Sequence, residues 1–122
     1  MIEQRADEIA ATFARNWESA WNSTGAAGTA QLYTRDSVLV GAVIAVGRPE
    51  IERALGMLYA QGWTRIAVKV INAREVGELV LIACEFVAAG SGPNAGKTLS
   101  GRSSHALTRV DGTWLSAMHS AA

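Results

Sequence analysis

Two histidines are the residues of this sequence best suited to acid–base chemistry near neutral pH. His105 and His119 are its only histidines, and imidazole has an unperturbed pKa close to neutrality. Neither stands in a sequence cluster of cysteines or carboxylates, so the pattern predicts no metal site. Strand alternation leaves His105 two places, either inside a pocket as a polar or acid–base group or on the outer surface of a sheet. His105 is the candidate catalytic residue.

Two other motifs that could carry chemistry have simpler structural explanations. Cys84 is the only cysteine and ends the apolar run 79–84, which predicts a buried core residue rather than a nucleophile with an accessible thiolate. The run 96–98, Gly-Lys-Thr, is similar to the end of a phosphate-binding loop. That motif requires glycine where Ser91 stands, and a helix where the residues after Thr98 predict a strand. A solvent-exposed hairpin loop is therefore expected.

The first half of the chain predicts three helices. Asn22–Gly25 ends the first helix, residues 26–34 predict a short second one, and Pro49 suits the first turn of a third that ends at residues 61–62. Short β-rich segments, 37–40 and 43–46, lie before the third helix. The first helix is amphipathic because its apolar residues recur every three or four positions: Ile2, Ala6, Ile9, Phe13, Trp17 and Trp21.

The second half of the chain predicts long strands. Apolar residues alternate with period two after Trp63, and further strands are expected at 78–89, 97–110 and 113–120, with a tight turn at Asp111-Gly112. Helices first and strands later are typical of an α+β fold with an antiparallel meander and helices on one face.

Several local motifs, in order and at matching spacing, resemble the nuclear transport factor 2-like superfamily. Residues 32–38 are similar to its Leu-Tyr-x-x-Asp-Ala-Val run, and residues 47–51 to its Gly-Arg-x-x-Ile helix entry. Residues 102–104 and 111–114 are similar to its closing strands, Arg-x-Thr and Asp-Gly-x-Trp. The resemblance implies one domain, 1–122, of SnoaL-like or ketosteroid isomerase-like type. Its fold would be a cone-like curved, mostly antiparallel sheet wrapped around three N-terminal-half helices.

The residues that carry ketosteroid isomerase chemistry are replaced in this chain. The resemblance places the aspartate general base on Gly41 or Ala42, the helix tyrosine on Trp17, and the late-strand aspartate on Ser104 or His105. No carboxylate is left to move a proton in that arrangement. We therefore expect no steroid isomerisation by that mechanism.

The resemblance also predicts a pocket between helices and sheet. Tryptophans there would serve either as core or as an aromatic wall for a flat ligand. Arg102 and Ser104 share strand parity and are expected to point inward, with Glu85 as partner of the arginine. The alternative is that Arg48, Arg102 and Glu85 all lie at the rim or at a subunit contact. The predicted lining is Trp17, Tyr33, Leu55, Met57 or Leu58, Trp63, Arg102 and Ser104.

His119 resembles the histidine near the end of many of these relatives. It stands one residue earlier relative to Trp114 than that histidine does. A one-residue shift would turn its side chain to the opposite face of the strand.

Charge and hydropathy restrict the possible partners. Eleven basic and eleven acidic residues cancel, which disfavours nucleic acid and anionic membranes as partners. No apolar stretch is long enough for a signal peptide or a membrane span, so a cytoplasmic location is expected. No cofactor is implied.

Two functions remain open from the sequence. The first is a pocket for a small apolar ligand, belonging to an isomerase, cyclase or dehydratase, or to a binding protein. The second is a non-catalytic homodimeric module for ligand binding or association. The strand at 78–89 has apolar residues on both faces, which predicts a homodimer through the outer face of the sheet.

Overall fold

Within residues 2–122 the α+β fold is built from three helices and one six-stranded sheet. The computed structural model describes residues 2–122, and the side chains from Arg5 onward. The helices are α1 (Ile2–Thr24), α2 (Ala26–Ala30) and α3 (Arg48–Ala60). The strands are β1 (Tyr33–Val40), β2 (Ile44–Val46), β3 (Trp63–Val76), β4 (Leu79–Gly90), β5 (Thr98–Val110) and β6 (Thr113–Ala121).

The sheet is mixed, open and mostly antiparallel. Its strand order is β2-β1-β6-β5-β4-β3. Strands β3 to β6 form the antiparallel meander that the sequence predicts, and the β1–β6 pair is parallel. The α+β class and the sheet wrapped on helices are therefore confirmed. Among the described helices, none is both long and apolar enough to cross a membrane.

The apolar stripe of α1 forms the centre of the core. Ala6, Phe13, Trp17 and Trp21 are buried, and Ile9 packs against them from a partly buried position. The side chain of Ile2, which the stripe also includes, lies outside the described side chains. Burial of two tryptophans and a phenylalanine gives this single helix a large share of the apolar area removed from water.

The second helix is shorter than predicted. It ends at Ala30, and Tyr33 already begins β1. The guanidinium of Arg48 donates to the Tyr33 carbonyl at 3.0 and 2.7 Å, and the Ser116 amide donates to the Leu32 carbonyl at 2.8 Å. These contacts fix the segment as a strand, because long-range hydrogen bonds override weak local helix propensity.

Polar side chains of α1 cover the exposed edge of the sheet. Strand β3 is an edge strand. The side chain of Asn22 donates to the Ile66 carbonyl at 3.1 Å and accepts from the Ile66 amide at 2.8 Å. Glu18 Oε2 accepts from the Val68 amide at 2.9 Å. These bonds satisfy backbone groups that would otherwise invite pairing with another chain.

We expect Asn22→Ala to destabilise the fold by about 1–3 kcal/mol, because it leaves the partly buried amide and carbonyl of Ile66 without partners. Urea unfolding followed by circular dichroism measures the effect. Asn16→Ala, an exposed asparagine of the same helix, is the matched control and should change the unfolding free energy by less than about 0.5 kcal/mol. Equal stability of the two variants would contradict the edge-covering role.

Candidate functional site

A cavity of about 460 Å³ lies between the helices and the concave face of the sheet. Its volume falls within the usual range of small-molecule sites. Among the described residues, its wall contains no aspartate, glutamate, lysine or arginine. The wall is mainly apolar and aromatic, and includes Phe13, Trp17, Trp21, Leu39, Leu55, Trp63, Ile82, Phe86 and Leu99.

Five of the predicted pocket residues lie on this wall. Trp17 and Leu55 are buried in it, and Trp63 is partly buried. Met57 and Leu58 also line it, but they are 60% and 40% exposed. Met57 and Leu58 therefore lie at the mouth of the cavity, while the two tryptophans lie deeper in it.

The prediction that Arg102 and Ser104 face the cavity is wrong. Both are exposed, whereas Ser103 and His105, of the opposite strand parity, line the cavity. Ser103 pairs with buried Cys84 in the neighbouring strand. The resemblance to the closing-strand motif gave the residue types but not the face of the strand that they occupy.

Glu85 is the neighbour of Arg102, but on the outer face of the sheet. The Arg102 Nε and Glu85 Oε2 atoms are 4.0 Å apart, and the side chains are 86% and 52% exposed. An ion pair so exposed contributes little to stability.

Tyr33 lies behind the cavity wall rather than on it. It is completely buried and does not line the cavity. Its hydroxyl accepts from Trp17 Nε1 at 3.1 Å and lies 2.8 Å from His119 Nδ1. Burial raises the pKa of Tyr33 far above its usual value, so the phenol stays neutral and supports the residues in front of it.

A β-bulge turns His119 into the cavity. Pairing between β5 and β6 skips Ala117, so one extra residue is inserted in β6. As a result Ser116 and His119, which are three positions apart, are both buried on the inner side. The one-residue shift seen in the sequence therefore does not turn His119 away from the pocket, because the bulge resets strand parity, and no residue type at this place indicates a bulge.

His105 and His119 stack on each other on the cavity wall. They are directly paired across β5 and β6, their ring centroids are 3.9 Å apart, and their planes differ by 19°. Phe13 meets the His105 ring edge-on at 4.9 Å. The two imidazoles are 8% and 6% exposed and both line the cavity. They lie on a mainly apolar wall, whose other polar side chains include those of Gln61, Ser100 and Ser103.

Both imidazoles are neutral at pH 7. Burial lowers the pKa of His119 from 6.5 to about 4. Burial, and secondarily repulsion from His119, hold the pKa of His105 well below its usual value. The physical cause is the cost of placing a cation in an apolar site whose described wall offers no charged side chain.

The Nδ1 atoms of the two rings are engaged by hydroxyl groups. His119 Nδ1 lies 2.8 Å from the hydroxyl of Tyr33, and His105 Nδ1 lies 2.8 Å from Oγ of Ser116. Within the described part of the chain, neither Nε2 atom has a hydrogen-bond partner, and neither is fully buried. The Nε2 atoms are thus the nitrogens open to a ligand.

Cys84 and the pair Gly41 and Ala42 are further residues for which the sequence predicts a place in the structure. Cys84 is buried as predicted, and burial raises the pKa of its thiol to about 11 despite a hydrogen bond from Ser103, so the thiol stays protonated at neutral pH. Gly41 and Ala42, where the resemblance places a general base, do line the cavity. They bring no ionisable group to it.

Solved structures of the same architecture place the chain among known folds. No protein-family profile matches this sequence, and no curated protein matches it. An NTF-2-like protein of unknown function from Shewanella oneidensis has a TM-score of 0.79 at 13% identity, covering 94% of this chain and 97% of its own. A ketosteroid isomerase-like protein from Erwinia carotovora has a TM-score of 0.79 at 15% identity, covering 93% and 92%. This chain has the NTF-2-like fold.

A third similar structure carries a different description. It is a putative calcium/calmodulin dependent protein kinase II association domain from Xanthomonas campestris, with a TM-score of 0.72 at 21% identity, covering 93% of this chain and 84% of its own. At such identities the likeness extends to the NTF-2-like fold and not to an activity, since one scaffold serves many functions.

Proposed function

We propose that this protein binds a small, flat, uncharged apolar molecule in the cavity between its helices and its sheet. The observation that carries the proposal is a cavity of about 460 Å³ whose described wall holds no charged side chain. An apolar ligand gains the free energy of leaving water there. An ion would lose its hydration without finding a counter-charge.

The aromatic wall favours a flat ligand over a bulky one. Trp17 and Trp21 are stacked with ring centroids 5.3 Å apart and planes within 11°. Trp63 joins them on the wall. Rings of this kind offer broad faces against which a planar molecule packs with large contact area and little loss of side-chain freedom.

The two imidazoles are the groups available for catalysis at this site. In the proposed enzyme, an isomerase, cyclase or dehydratase acting on an apolar metabolite, His105 would be the acid–base residue, with His119 beside it. Because the rings are neutral, each can accept a hydrogen bond from a ligand or donate one to it. The ketosteroid isomerase mechanism has no counterpart, because its carboxylates are replaced.

A cavity-filling substitution tests the binding proposal. Ala54 lines the cavity from α3, so Ala54→Trp should occupy part of it and weaken binding of the neutral probe N-phenyl-1-naphthylamine by about tenfold or more. Probe fluorescence measures the affinity. Ala83→Trp places the same side chain on the exposed outer side of β4 and should leave affinity unchanged. If the wild-type protein does not bind the probe, or if both variants bind as it does, the proposal fails.

A second candidate function is a non-catalytic homodimeric module for ligand binding or association. It is supported by apolar residues exposed on the outer side of the sheet, including Leu81 and Val87 at 39% and 48% exposure. The two candidates are compatible, since the dimer would use the outer face and the ligand the inner one.

A further inference from the structure

The hydrogen bonds behind the cavity wall fix the tautomer of His119. The Trp17 indole N–H can only donate, so the Tyr33 oxygen accepts from it at 3.1 Å. The phenol proton then needs an acceptor, because Tyr33 is completely buried. Among the described contacts, that acceptor is His119 Nδ1 at 2.8 Å. A bare Nδ1 places the ring proton on Nε2, so His119 presents an N–H donor to the cavity.

A second chain of hydrogen bonds fixes the opposite tautomer in His105. The Ser116 hydroxyl donates to the Met118 carbonyl at 3.1 Å, across the bulge in β6. With its proton used, the Ser116 oxygen accepts, and the donor is His105 Nδ1 at 2.8 Å. The remaining nitrogen, His105 Nε2, is therefore bare and presents an acceptor to the cavity.

We infer that the stacked imidazoles form a donor–acceptor pair that selects a neutral ligand bearing a hydroxyl group, an alcohol or a phenol on an apolar frame. The hydroxyl would donate to His105 Nε2 and accept from His119 Nε2–H. This inference rests on the proposed ligand site and specifies its substrate class. Tyr33 and Ser116 act as positioning residues, since each holds one ring in one tautomer.

The pair discriminates against ligands whose oxygen atoms can only accept hydrogen bonds. A ketone or an ether only accepts hydrogen bonds. Once such a ligand has displaced water from the cavity, His105 Nε2 would have no hydrogen-bond donor. A carboxylate also only accepts, and the described cavity wall supplies no cation to replace its hydration. A hydroxyl satisfies both nitrogens with a single atom.

Nuclear magnetic resonance tests the tautomers directly. The chain contains only two histidines, so long-range proton–nitrogen spectra of histidine-labelled protein at neutral pH show two imidazoles, and His105→Gln assigns them. We expect Nδ1–H for His105 and Nε2–H for His119. Tyr33→Phe should release His119 into a mixture of tautomers while His105 is unchanged. Identical tautomers in both rings, reversed tautomers, or rapid averaging in the wild-type protein would overturn the inference.

A matched ligand series tests the selectivity on wild-type protein by calorimetry. We expect 2-naphthol to bind about tenfold or more tightly than 2-methoxynaphthalene, and 2-naphthoate to bind most weakly. Equal affinity for naphthol and its methyl ether overturns the donor–acceptor pair but leaves the binding proposal intact. Binding of N-phenyl-1-naphthylamine without any binding of naphthol does the same. Failure of every neutral compound, that probe included, overturns the binding proposal as well.

Substitution of the pair should remove the preference rather than all binding. His105→Phe keeps a ring but removes the acceptor, so naphthol should fall to the affinity of its methyl ether. Ser104 directly precedes His105 but lies on the exposed side of β5. The control variant Ser104→Ala should therefore keep the wild-type preference. A His105→Phe protein that still prefers naphthol tenfold would contradict the role given to His105.

Discussion

Acidification from pH 6.5 to pH 4 is expected to lower the unfolding free energy by several kcal/mol. The pKa of His119 is about 4 in the folded protein, against 6.5 as its ordinary value, and that of His105 is also lowered. The unfolded chain therefore binds more protons than the folded chain throughout this window. Stability is fully present above pH 6.5 and falls by about 1.4 kcal/mol per pH unit for His119 as the pH drops toward 4, so His119 alone accounts for about 3 kcal/mol. His105 lowers stability in the same direction.

Urea unfolding at a series of pH values measures this dependence. His119→Gln is the matched variant, because its amide can still accept from Tyr33 but does not titrate. The slope of its unfolding free energy against pH should be smaller by about 1.4 kcal/mol per unit. Identical slopes in the two proteins, or a wild-type protein that gains stability as the pH falls, would show that the imidazoles are not buried as neutral rings.

Self-association is the second large effect that we expect. Strand β4 buries Val80, Ile82 and Cys84 inward at 0–3% exposure, yet leaves Leu81 and Val87 outward at 39% and 48%. We call this outward side of β3 to β6 the outer face. Burying the exposed apolar side chains there would stabilise the protein by roughly 25 cal/mol for each Å² removed from water. A twofold contact between two copies would cover the patch with one self-complementary surface.

The charges on the outer face suit a second copy of the same chain. Glu85 is paired across the strands with Lys69 on one side and Arg102 on the other, and all three are exposed. A row with both signs of charge can meet its own twofold image with opposite charges facing each other. The net charge of zero adds no overall repulsion between copies.

Light scattering at micromolar concentration measures the association. We expect a mass of twice 12.9 kDa for the wild-type protein. The double variant Leu81→Lys and Val87→Lys should be monomeric, since it places four like charges at the contact of a dimer. Met57→Lys, at a position 60% exposed on α3, should remain dimeric. A wild-type mass of 12.9 kDa that is stable across dilution would refute the dimer.

The sequence predicts the elements well because their periodicity is set by burial. The stripe through Phe13, Trp17 and Trp21 is the face that packs on the sheet, and the alternation after Trp63 gives the long strands. Such patterns depend only on which side of a regular element meets the core. They require no knowledge of how distant segments pair.

The site could be predicted only in part, because its details depend on pairing between distant strands. The bulge at Ala117 brings His119 inward, and a single inserted residue leaves no trace in composition. The face of Arg102 depends on its register with Glu85 in β4. Tyr33 was expected on the pocket surface, but its contacts with Trp17 and His119 place it one layer deeper.

The most direct test of the cavity and its imidazole pair is a titration of histidine-labelled protein with 2-naphthol, followed by the nitrogen resonances of both rings. We expect saturable shifts at Nε2 of His105 and of His119, with smaller shifts at the Nδ1 atoms that Ser116 and Tyr33 hold. Resonances that stay unmoved at saturating naphthol would mean that the ligand does not reach the imidazoles. That result would contradict the site described for this protein.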